Sequence, residues 1–152
     1  MVAIRNAGRP LSEADIASFE ERIGHRLPEP YRRFLLKNNG GRPPMGVSTI
    51  DIDQLPGSPT DVGDFFGISD PLVACDIEWN IHALENRISS HLLPIADDSG
   101  GNIFCISLSQ PDFGAVVYCD FDPTWHLGGA VYYSVAPAFD NFLERIRAFE
   151  NN

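Results

Sequence analysis

The sequence predicts an α+β fold, and three observations carry that expectation. Apolar residues recur at helical spacing only near the N-terminus, in one middle stretch and at the C-terminal end. Between them lie short segments rich in β-branched and aromatic residues, bounded by Gly, Asp, Ser and Pro. Helices, then strands, then a helix favour an α+β arrangement over a wound α/β sheet. A chain of 152 residues, 43% of them hydrophobic, suits one domain over 1–152 with its own core.

The first helix is expected to start at Ser12, whose hydroxyl can cap while Asp15, three residues on, closes a capping box. Ile16, Phe19 and Ile23 share its apolar face, and Gly24 supplies the stop. A second helix begins at Leu27-Pro28-Glu29-Pro30-Tyr31, since proline is tolerated where an N–H has no partner. Tyr31, Phe34 and Leu35 form its buried stripe, and Asn38-Asn39-Gly40-Gly41 ends it. Residues 12–40 thus form a bent helix pair. Strands are expected at Val47–Ile52 and Asp64–Ile68, with a Pro/Gly/Ser/Asp-rich loop between them.

A middle helix is placed at 76–89, with Ile77, Ile81, Leu84 and Ile88 on one face and Trp79 off it. Leu92–Ala96 is a buried strand in which Pro94 implies a sheet edge or a bulge. Three strands follow, Ile103–Leu108, Ala115–Phe121 and Gly129–Val135, linked by turns as an antiparallel meander. The sheet is assigned to 45–135. A closing helix over 138–150 carries the stripe Phe139, Phe142, Leu143, Ile146 and Phe149.

The net charge is −10, unevenly distributed. Residues 1–42 hold five acids and eight bases; residues 43–144 hold fifteen acids and one base, Arg87. Such a chain is unsuited to neutralising a phosphate backbone or an anionic membrane, so neither nucleic acid nor membrane is expected as a partner. An acidic face that steers a basic protein partner is one reading, and solubility is the other. No stretch matches a bilayer-spanning run or a secretory signal. The odd set Cys75, Cys105 and Cys119 has no CxxC spacing, which fits a reducing, cytoplasmic setting.

Chemistry-bearing motifs are sparse. No G-x-S-x-G or phosphate loop occurs. Cys105 and Cys119 fall in apolar strands, where thiols are usually inert. Asp97-Asp98-Ser99-Gly100-Gly101-Asn102 fails the calcium-loop pattern and reads as a turn. Asp120, Asp122 and His126 have donor types that suit a divalent metal, but Asp122-Pro123 is also an ordinary strand end. No catalytic residue, cofactor or metal is assigned.

Several blocks together resemble the SUKH superfamily, also called the Smi/Knr group. Phe19-Glu20-Glu21-Arg22-Ile23-Gly24 leads into Leu27-Pro28-Glu29-Pro30-Tyr31 and then Phe34-Leu35-Leu36-Lys37-Asn38-Asn39-Gly40-Gly41. Leu93-Pro94-Ile95-Ala96, Asp98, Gly100-Gly101-Asn102 and Ile103–Ile106 are similar to the group's central hairpin, and Asp112–Tyr118 with Asp120-Phe121-Asp122 to its next one. Residues 43–90 match no such block. The resemblance implies a mostly antiparallel sheet with packed helices and no enzymatic activity. It also implies one of two roles: a bacterial immunity protein that neutralises a cognate toxin domain, or a regulatory interaction module of the fungal kind. On the immunity reading the expected partner is that toxin, with a nuclease carrying a basic groove as the candidate target. Charge and turn position nominate Asp61, Asp64, Asp97, Asp98, Asp112, Asp120 and Asp122 as contacts, with Trp79 and Trp125 as aromatic anchors.

Overall fold

Helix α1 spans Glu13–Ile23 and α2 spans Glu29–Lys37. The capping box forms as expected: Asp15 N–H donates to Ser12 Oγ at 3.1 Å, and Ser12 N–H donates to the Asp15 carboxylate at 2.8 Å. Gly24 ends α1 with φ +74°. Glu20 then accepts the Leu27 N–H at 2.8 Å, which ties the short connection back onto α1. The computed structural model describes residues 3–43, 48–121 and 129–148.

The meander is present as a four-stranded antiparallel sheet, β3 (Leu92–Asp97), β4 (Ile103–Ser107), β5 (Val116–Asp120) and β6 (Val131–Ala136), in that spatial order. Pro94 sits on the outer strand β3 at a register shift between Pro94 and Ala96, as its missing N–H requires. The segment 63–66 covers that edge through Phe66 N–H to Ile95 O and Asp97 N–H to Asp64 O. Asp64–Ile68, expected as a strand, pairs only through isolated bridges at Phe65 and Gly67.

A second sheet is hydrogen-bonded separately from the first. β1 (Ser48–Ile50) pairs antiparallel with β2 (Thr60–Asp61) on one side and β7 (Arg147–Ala148) on the other. The C-terminal helix α4 is accordingly shorter than 138–150: it runs Phe139–Arg145 and gives way to β7. Phe139, Phe142, Leu143 and Ile146 are buried as the stripe required, while Phe149 lies outside the described residues. Pairing with β1 satisfies the backbone that one more helical turn would have used. The middle helix α3 is likewise only Ile77–Ala83, not 76–89. Leu84 and Ile88 still face inward, from turns after it. A 3₁₀ turn, η1 (Val73–Cys75), precedes α3.

The core joins helices to sheet mainly through aromatic rings. Phe34 meets Phe139 at 4.9 Å and Phe65 at 5.2 Å, and Phe142 meets Phe104 of β4 at 5.2 Å. Tilted and edge-on contacts of this kind add stability beyond area burial. Asn39, 3% exposed, staples the end of α2 to the middle of the chain. Its Nδ2 donates to Arg9 O and Ile68 O, and its Oδ1 accepts the Ile68 N–H at 2.7 Å. These bonds hold residues 63–68 against the helix pair and so fix the start of the 70–79 segment.

Candidate partner-binding surface

The acids nominated from the sequence fall into two groups. Asp61, Asp64, Asp97 and Asp98 converge at one corner, where β2, the 63–66 segment and the β3–β4 turn meet. Asp120 lines the same hollow as Asp61 and Asp98 and is buried. Asp112 stands exposed on the turn before β5, beside a separate groove of about 990 Å3 that Asp51, Glu144, Arg145 and Arg147 also line. Asp122 and Trp125, with His126, lie outside the described residues.

Most of the corner carboxylates bind their own chain. Asp98, 6% exposed, accepts four hydrogen bonds: from Thr60 Oγ1 and Tyr118 Oη on one oxygen, and from Gly100 N–H and Asn102 N–H on the other. It is the clamp of the turn that the sequence placed there. Asp61 accepts from the N–H and hydroxyl of Ser99. Asp64 pairs with Arg42 at 2.7 Å. Asp97 accepts the Asp64 N–H at 2.7 Å. Burial, and then the neighbouring carboxylates of Asp64, Asp98 and Asp61, push the Asp97 carboxyl up to about 6, against the lowering effect of that N–H.

The charge asymmetry of the sequence is partly neutralised in space. Arg22 bonds Glu78 at 2.7 Å, Arg33 faces Asp140 at 3.3 Å, and Arg42 meets Asp64. Bases of the N-terminal unit thus reach acids of the remainder, leaving a smaller field than the segment counts suggest.

A second surface forms where η1 meets α3. Leu72 is 62% exposed, Val73 57% and Trp79 46%, three of the five large apolar residues that stand out among the described residues. They fall within one eight-residue segment that is held tightly. Asp70 accepts the Leu72 N–H, and Asp76 accepts from Asp70 N–H on one oxygen and from Trp79 N–H on the other, capping α3. Asn80, buried, donates to Ala74 O and Asp76 O. Beneath, Gly67 bonds Cys75 and Ile77 through its backbone. The apolar side chains therefore project from a fixed backbone. Trp79 was legible from helical phase. Leu72 and Val73 were not singled out, although an apolar pair between Asp70 and Asp76 with no periodic partner is the signal that points to them.

No thiol is arranged as a nucleophile. Cys105 and Cys119 are fully buried, with sulfurs 3.7 Å apart, and burial raises the Cys105 thiol. Cys75 is half-buried and raised to about 11, first by burial and then by nearby carboxylates. Among the described residues no group of three His, Cys, Asp or Glu is placed to hold a metal. No described helix is long and apolar enough to cross a membrane.

Fold and surface together define an α+β domain with a part-buried acidic corner and an exposed apolar segment at Leu72, Val73 and Trp79. The chain belongs to the SMI1 / KNR4 family (SUKH-1), whose model matches residues 10–145. That membership is consistent with an immunity-type protein. A search of curated proteins found no match.

Proposed function

We propose that this chain is an immunity protein that binds a cognate toxin domain and neutralises it by covering its active site or substrate groove. The observation that carries the reading is the family match across residues 10–145. The charge of −10 supports a basic target, because carboxylates can replace phosphates as partners of Arg and Lys in a nucleic-acid groove. A nuclease toxin is the target class this charge suits best. Of the nominated acids among the described residues, Asp112 is exposed and Asp61, Asp64 and Asp97 are partly exposed.

The test is protection. Cells expressing the toxin domain encoded beside this chain's gene should grow only when this chain is co-expressed. Unchanged killing in its presence would contradict the reading.

A further inference from the structure

We infer that the Leu72–Val73–Trp79 ridge is the anchor of partner binding, and that it fits a protein surface with an apolar socket rimmed by Arg or Lys. The inference rests on the immunity reading and names which face of the chain makes the contact.

Three observations support it. Large apolar side chains cost free energy in water, and a contiguous exposed patch on a monomer marks an interaction site more often than scattered residues do. Here three of the five exposed large apolar residues among the described residues, Leu72, Val73 and Trp79, fall within eight residues of one another along the chain. Next, the ridge is preorganised. Both oxygens of Asp76 and one of Asp70 are bonded to backbone N–H groups of the segment, so docking would freeze little main chain. Trp on a rigid base is a common hot-spot residue.

Charge selects the occupant. Residues 64–86 contain Asp64, Asp70, Asp76, Glu78 and Glu85 and no Lys or Arg. Arg22 bonds Glu78 and also acts on Asp76, and Arg42 offsets Asp64, so one arginine stands against two acids there, while the bond to Asp70 Oδ1 comes from a neutral N–H and leaves its charge in place. An apolar centre with an acidic rim fits a basic rim on the partner. A second copy of this chain would set like rims against each other. The fully clamped Asp98 and buried Asp120 then serve the fold, while the ridge supplies the contact.

The test compares three proteins for binding to the toxin domain encoded beside the gene: wild type, Leu72→Ser/Val73→Ser, and Trp79→Ala. Thermal unfolding first confirms that the variants fold, as exposed positions allow. The expected result is tight wild-type binding that each ridge variant weakens, by about a hundredfold for the double variant. Wild-type binding with all variants within about threefold of it would overturn the ridge and leave the immunity reading standing. Absence of wild-type binding would overturn that reading and the ridge's partner with it. Wild-type binding lost through Asp112→Lys but not through the ridge variants would place the contact at the groove beside Asp112 and also overturn the inference.

Discussion

Tyr118 donates its hydroxyl to Asp98 at 2.5 Å, tying the middle of β5 to the turn that leaves β3. The same carboxylate oxygen accepts Thr60 from the smaller sheet, so one buried acid joins three parts of the chain. Burial, then this bond, hold the Tyr118 hydroxyl well above the usual phenol range. A carboxylate placed this way stabilises the fold.

Tyr118→Phe keeps the ring contacts with Phe104 and Tyr133 and removes only the donor. A hydrogen bond to a buried charged group contributes about 1.5–3 kcal/mol. The variant should lose about 2 kcal/mol in denaturant unfolding, with toxin protection unchanged.

Asp97 carries a pH dependence whose sign is definite. Its folded carboxyl titrates near 6, above about 3.9 for an unfolded Asp. Between those values the native state binds more protons, so this contribution is fully present below about pH 4 and is lost as pH rises through 6. Asp97→Asn keeps an oxygen for the Asp64 N–H and removes the charge. Its melting temperature should exceed wild type at pH 7 and converge on it near pH 4.

Gly40 and Gly24 share a left-handed backbone but not their surroundings. At Gly40, φ is +69° and an added Cβ would lie 2.8 Å from Phe65 O and 2.9 Å from Gly67 N. Gly24 has φ +74° and open space. Gly24→Ala should cost about 1–2 kcal/mol from conformation alone. Gly40→Ala should cost about 3 kcal/mol or more, since backbone must also move. Equal midpoints in urea for the two variants would contradict this.

Thiol reactivity tests the assignment of no cysteine chemistry. Raised and buried thiols are poor nucleophiles. A disulfide reagent at pH 7–8 should label Cys75 slowly and all three cysteines only after denaturation. A rapidly labelled cysteine in the native protein would reopen a catalytic role.

The helix pair and meander were legible because their signals are local: Ser12 with Asp15, Gly24, and apolar periods of 3.6 and 2. Of the second sheet only β1 was legible, inside the expected Val47–Ile52, because β2 and β7 are two residues long and β7 is far from β1 in sequence. Nothing near Arg147 announces that Ser48 will pair with Ala148. The same limit applied to the surface. Asp98 looked like a contact because turns are usually wet, and only the fold brings Tyr118 and Thr60 to it. Leu72 and Val73 carry no periodic signal in the sequence, and only the fold leaves them uncovered.

The most direct measurement is the dissociation constant of this chain for a toxin domain encoded beside its gene, the partner proposed above, at low and high salt, for wild type and the Leu72→Ser/Val73→Ser variant. The account predicts tight wild-type binding, moderately weakened by salt through the acidic rim, and about a hundredfold loss in the variant at both salt concentrations. Wild-type binding that salt abolishes and the variant retains would show an electrostatic contact made elsewhere. No binding by wild type would contradict the immunity reading itself.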